Sequence, residues 1–295
     1  MIHITALTKR NIKLFLRDRA TVFFSLLSTL ILVGLYLLFI AKTYSDALLG
    51  EMGGLLSESG SNFLIYLQMI AGVMILNSMS LSTGAFGTIA KDFENRRVDS
   101  FLLTPARVHE ILISYFAAGF LISFILNLFS WIISFLLIGF LTTYWISLKV
   151  FILTAGSLFA ASFISAALML LITSLVKSSA AIGVISGVAG TFVGFLSGIY
   201  MPYSSLGEAT KKVGSLLPFS HLTVWIKNIL LSDASAQLNI TGELKEIVID
   251  GYFSAGNIGF LGLDIPLWIL LLASGVFALL CLVASSRILK KRMTA

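Results

Sequence analysis

Charge is scarce in this chain, and cysteine is nearly absent. Only 12% of the 295 residues are Asp, Glu, Lys or Arg, and the net charge is +6. A nucleic-acid binder would gather such charge on a polar domain, and the chain has none. Its one cysteine, Cys281, excludes an intrachain disulfide and lies in an apolar run, where a thiol acts as a small packing residue. No G-x-x-x-x-G-K-[ST] occurs, so the chain does not bind ATP through a P-loop. H-E-x-x-H is also missing, and His3, His109 and His221 are too scattered to suggest a metal site. Two G-x-x-S-G runs, at 183–187 and 194–198, have the wrong spacing for a G-x-S-x-G nucleophile, and no span supplies a histidine base. Small residues packing helices together explain them better.

What remains is apolar length. The composition is 58% hydrophobic with 23 Phe, and the mean hydropathy is +0.99. Such values indicate an all-α, polytopic membrane protein, because about 20 helical residues cross about 30 Å of hydrocarbon. Six segments qualify: 20–40, 63–86, 111–141, 146–176, 180–200 and 266–286. The third and fourth exceed the bilayer and should tilt or project. The first is too long for a signal peptide and lacks an A-x-A site, so it reads as a retained span. With the N-terminus inside, residues 1–19, 87–110, 177–179 and 287–295 hold 14 of the 20 Lys and Arg, while the acidic residues favour the opposite loops. The positive-inside rule then puts both termini in the cytoplasm.

Several segments carry finer signals. In residues 1–19, Ile4, Leu7, Ile12, Leu14, Phe15 and Leu16 share one side of a helix, and Lys9, Arg10, Lys13 and Arg17 a narrower arc opposite. This is a basic amphipathic helix suited to an anionic inner leaflet; a retention signal with chance periodicity is the plainer alternative. No ionisable residue sits in the middle of a span, which weighs against a proton- or ion-coupled secondary transporter. Gln68 and Asn77 either line a path or bond between helices, and for Asn127 the second reading is preferred. The fifth span carries Gly183, Gly187, Gly190, Gly194 and Gly198, with three G-x-x-x-G spacings. They form a dimer or pore-side face, or pack within one subunit. Between Pro202 and Pro218 the chain is too polar to span and too apolar for a free loop. An interfacial helix pair or a re-entrant hairpin ending at a Trp225 anchor fits, followed by a polar external loop at 232–264 that is either a cap or disordered.

The sequence KDFENRRVDSFLLTP at 91–105 interrupts this oily background with charge of both signs. Val98, Phe101 and Leu102 recur at i, i+3 and i+4, so a short helix would gather them on one stripe, and Pro105 would end it. Glu94, Arg96, Arg97 and Asp99 surround the stripe. A solvated turn would need only the charges, and a membrane-surface helix would favour basic residues. A docking knob, with an apolar anchor inside a polar rim, uses both.

In its order of features the whole chain resembles an ABC-2 type permease. The resemblance rests on the basic amphipathic start, the charged loop ending LLTPARVHEIL, six spans, and the block SGIYMPYSSL…LLPFSHLTVWIKNIL. That block matches the family's S-G-x-x-x-P…L-x-P-x pattern at Ser197, Gly198, Pro202, Leu216 and Pro218. Many relatives carry Glu-Gly-Thr in the charged loop, where this chain has Arg96-Arg97-Val98. The resemblance implies a single ABC-2 transmembrane domain over 1–295, with no catalytic site or cofactor of its own. ATP and Mg would be bound by a separate cytoplasmic ABC ATPase. A second permease copy or a related chain would complete a bacterial plasma-membrane exporter of drugs, peptides or lipid-linked molecules. It further implies that 91–105 is the ATPase-coupling segment, through Glu94, Arg96, Arg97, Val98, Asp99, Phe101 and Leu102. The second and fifth spans would flank the path, bringing Gln68, Asn77, Phe192 and Phe195 towards substrate. A non-transporting sensor or immunity subunit of the same fold is the alternative reading.

Overall fold

A computed structural model describes residues 2–51, 56–176, 178–200 and 206–294. Its elements are helices: α1 (Ile2–Arg17), α2 (Arg19–Leu35), α3 (Ala41–Glu51), α4 (Glu58–Glu94), α5 (Arg97–Leu102), α6 (Val108–Thr142), α7 (Leu148–Leu175), α8 (Ser179–Leu196), α9 (Glu208–Gly214), α10 (Pro218–Gln237), α11 (Glu243–Lys245) and α12 (Leu267–Thr294). A π-helical turn, Tyr36–Ile40, joins α2 to α3 without a break. Among the described residues six helices are long and apolar enough to cross a membrane, so the protein is an all-α, multi-pass membrane protein.

Local chemistry sets the helix boundaries. Ser57 caps α4 by accepting from Gly60 N at 3.1 Å, and Ser147 and Ser178 do the same for α7 and α8. Pro218 occupies the first turn of α10, where its missing N–H has no consequence. Arg96 adopts φ 53° between α4 and α5, turning the chain sharply, and α5 ends three residues before Pro105.

The core is centred on α4, whose 37 residues are largely buried. Lipid gives apolar side chains no reason to prefer protein, so close packing and hydrogen bonds hold such a bundle together. Both occur along α4. The Phe86 ring lies directly over Gly119 of α6, where any side chain would collide with it. Ser78 and Ser165 hydroxyls lie 2.6 Å apart between α4 and α7, and Ser123 of α6 donates to Ser78 O.

The six long helices alternate direction. At one end α4 finishes beside the α1–α2 joint, the start of α6, the α7–α8 joint and the end of α12, through contacts described below. At the other end Ser45 of α3 bonds Ser61, Ser59 donates to Thr142 O, and Asp233 of α10 accepts from Ser147 N. Both described termini therefore lie at the same end, the one rich in Lys and Arg.

Two expectations change, and at 232–264 one of two alternatives is favoured. Helix α1 does not merely lie along a surface: Phe15 is buried against Ala85 and Ile122, and Arg10 turns inward out of the basic arc. The hairpin helix does not end at Trp225. Helix α10 runs on to Gln237 and packs into the bundle against α4 and α7, with His221 and Lys227 among its buried residues. The 232–264 region is an ordered cap: Val248, Ile249 and Phe253 are fully buried, and Phe260 pairs with Leu263 in an isolated bridge. Pro202 lies outside the described residues.

Candidate functional site

The charged stretch closes α4 and forms α5, and its geometry divides it into an inward and an outward part. Asp92 is buried and receives three hydrogen bonds: two from the Arg10 guanidinium, at 2.6 and 3.0 Å, and one from the Tyr115 hydroxyl at 2.6 Å. Arg97 reaches to 4.0 Å of the same carboxylate. Burial works against the Arg10 charge, but the Asp92 bonds and charge outweigh it, and the guanidinium is held above its ordinary value. Arg10 also lies over the Phe101 ring, 4.8 Å from its centroid.

The expected apolar stripe therefore faces the protein. Val98 is 2% exposed, and Phe101 packs against the core beneath Arg10. The side chains of Asp99 and Leu102 lie outside the described residues. Glu94 is turned to α8, accepting from Ser179 N at 2.7 Å and from Ser179 Oγ at 3.0 Å. Among the described residues the outward surface includes Asn95, Arg96, Arg97, Ser100, Thr104, Pro105 and Leu103, the last 90% exposed. Periodicity passed over Leu103 because it falls beyond the stripe. The available signal was its position, an apolar residue just past the helix and ahead of Thr104-Pro105.

The path residues separate in the same way. Asn77 is buried in the α4–α6 interface, donating to Asn127 Oδ1 at 3.1 Å and Ser130 Oγ at 3.2 Å, while Asn127 donates to Met74 O. Asn77 thus acts as a strut between α4 and α6. Gln68 is also buried, and its Oε1 has no hydrogen-bond partner among the described residues. Phe192 and Phe195 are open on α8, the second of them edge-on to Tyr200.

Among the described residues, nothing packs on the glycine face of α8 at Gly183, Gly187 or Gly190, where an added Cβ would meet no atom within 4 Å. Gly194 does pack, against the Tyr200 ring, and Gly198 takes φ 65° where the helix ends. Near the head of this face a cavity of about 570 Å³ opens between the α1–α2 joint, α4 and α8. Its walls include Phe15, Gly84, Gly87 and Ile182, with Lys91 and Arg97 at the charged side.

Sequence reasoning also missed Lys227, which is 1% exposed and donates to Gly198 O at 3.2 Å. Burial pushes its ammonium down to about 8. His221 is likewise lowered by burial, against the opposing bond to Ser215 O.

Among the described residues, six long apolar helices thus carry a charged turn at the basic end and an open small-residue face. The family model described as ABC-2 family transporter protein matches residues 42–283, and the chain belongs to that family. It is therefore a permease subunit of an ABC transporter, a family whose members associate with ABC ATPase subunits. The match begins after α1 and α2. No curated protein matches the chain.

Proposed function

We propose that the chain is the membrane half of an exporter in which the turn at 94–105 receives a cytoplasmic ATPase and two permease copies enclose the path. The observation that carries this is Leu103, a large apolar side chain 90% exposed at the basic end of the bundle and flanked by Arg96, Arg97 and Pro105. A turn held rigidly from behind by Val98, Phe101 and Arg10 presents such a residue at low entropic cost, as a docking knob requires. The positive-inside rule supports a cytoplasmic location for this end. ATP and Mg belong on the partner, and the ATP-driven closure of two ATPases would rock the paired permeases between inward- and outward-facing states.

The open faces support the pairing. Gly183, Gly187 and Gly190 meet none of the described residues of the single chain and suit the close approach of a second copy. The cavity beside them combines apolar walls with charged groups of both signs, Lys91 and Arg97 facing Asp18 and Asp92, a mixture that suits an amphipathic cargo such as a drug, peptide or lipid-linked molecule entering from the cytoplasm or inner leaflet. The experiment is affinity capture of the ATPase by the detergent-solubilised permease. Burying a leucine is worth about 1.5–3 kcal/mol, so Leu103→Ala should weaken capture by about tenfold or more. Thr241→Ala, at the opposite end, should leave it unchanged. Equal capture by Leu103→Ala and the unaltered protein would remove this turn from the interface.

A further inference from the structure

The last turn of α4 commits four consecutive side chains to different neighbours. Lys91 Nζ lies 3.2 Å from Asp18 Oδ2 at the α1–α2 joint. Asp92 holds Arg10 of α1 and Tyr115 of α6. The Phe93 ring lies under the Arg292 guanidinium of α12 at 4.4 Å, and Arg292 donates at 3.0 Å to Ser174 O and Val176 O at the end of α7. Glu94 binds Ser179, the first residue of α8. Successive helical residues point about 100° apart, so one turn of α4 addresses the whole ring of surrounding helices. Its connection to α5 is short and hydrogen-bonded, through Asn95 N to Lys91 O and Arg96 N to Phe93 O. A displacement of α5 therefore acts directly on this turn.

The links differ in kind. Asp92 is buried under three converging donors, and moving any of them would strand a carboxylate away from water. Arg292 likewise fastens α12 to the end of α7. The bond from Glu94 to Ser179 lies in the open, where water can replace either partner. Within one chain α8 is also weakly held elsewhere: much of its surface is exposed, and no described residue lies within 4 Å of a Cβ added at three of its glycines. Of the helices meeting at this turn, α8 is the one that can be released.

We infer that Glu94 is a positioning residue that transmits movement of the α5 turn to α8 through its hydrogen bonds to Ser179, while Asp92 clamps α1, α4 and α6 into one body. This rests on the reading of α5 as the ATPase contact. It assigns Glu94 to the interior linkage and takes it out of the docking surface. The bond can be held in one state and broken in the other, which is what a two-state element needs in order to couple two sites.

The test uses the permease copurified with its ATPase, with Cys281→Ala and single cysteines at Val188→Cys on the open side of α8 or Ser100→Cys on the exposed side of α5. Alkylation of the cysteine at 188 is timed without nucleotide and after trapping with ATP and vanadate. The rate should change severalfold on trapping in the unaltered background. Glu94→Ala should abolish the change. Glu94→Gln, whose amide oxygen still accepts from Ser179 N, should restore it. Throughout, the cysteine at 100 should stay shielded by the ATPase. A response in Glu94→Ala equal to the unaltered background, or no rescue by Glu94→Gln, overturns the assignment. An unshielded cysteine at 100 in the unaltered background counts instead against α5 as the docking turn, so the two failures are distinguishable.

Discussion

Replacing Arg10 with alanine strips the buried Asp92 carboxylate of two of its three hydrogen bonds. Tyr115 remains, and Arg97 stands 4.0 Å away. Removing one partner from a fully buried ion pair costs about 3–5 kcal/mol. The Arg10 side chain keeps 28% of its surface exposed, so water screens the pair and lowers that figure towards the roughly 1 kcal/mol ceiling of surface pairs. A value near 2 kcal/mol is the balance of the two, with about 0.5 kcal/mol more for the cation over Phe101. At about 2–4 °C per kcal/mol, the thermal midpoint of the purified protein in detergent should fall by roughly 5–10 °C. Asp92→Ala should also destabilise, and the double variant should be far less damaged than the two single losses combined. The assay is a thermal scan of all four proteins, read as a double-mutant cycle with an expected coupling of about 2 kcal/mol. Additive losses would refute the reasoning, because they would mean that Arg10 and Asp92 stabilise the protein independently.

Other outcomes follow from the same structure. Gly194→Leu should destabilise the single chain by forcing away the Tyr200 ring, whereas Gly187→Leu should fold normally yet impair assembly of the complex; size-exclusion chromatography with thermal scans separates the two. Lys227→Met should be no less stable than the unaltered protein at pH 7, since an apolar side chain replaces a buried cation that has one described partner. The Lys227 value is depressed to about 8 from 10.5, so below pH 8 the ammonium is charged in both folded and unfolded states and the folded state bears its burial. As the pH rises from 8 towards 10.5 the folded state loses its proton first and gains stability, so the advantage of Lys227→Met should shrink over that window, as thermal scans at pH 7, 8.5 and 10 would reveal. Alkylation from opposite faces of a sealed membrane should reach Ser100→Cys and Thr241→Cys separately.

The spans were legible because apolar length is a one-dimensional property, and runs of about 20 residues survive any rearrangement of neighbours. The short helix at 97–102 was legible from its spacing too. The direction of its stripe was not, because periodicity shows which residues share a face and not what covers it. Arg10, 82 positions from Asp92, supplies that cover. In the sequence, helix α10 reads as part of an interfacial or re-entrant hairpin because its stretch is too polar to span, and Ser220, His221 and Lys227 supply part of that polarity. Their partners, Ser197, Ser215 and Gly198, meet them only in the fold. Asn77 posed the same problem, since its role depended on Asn127, which is 50 residues away. The glycines of α8 showed a face prepared for close approach, but a single chain does not contain what approaches Gly187.

The most direct measurement places a photo-crosslinking side chain at Leu103 in native membranes and identifies what it captures, with the same group at Thr241 as the control. The account predicts one dominant adduct at 103, to a soluble polypeptide carrying a P-loop, and none with that polypeptide at 241. Capture of only lipid or this same chain at 103, with no ATP-binding polypeptide, would contradict it.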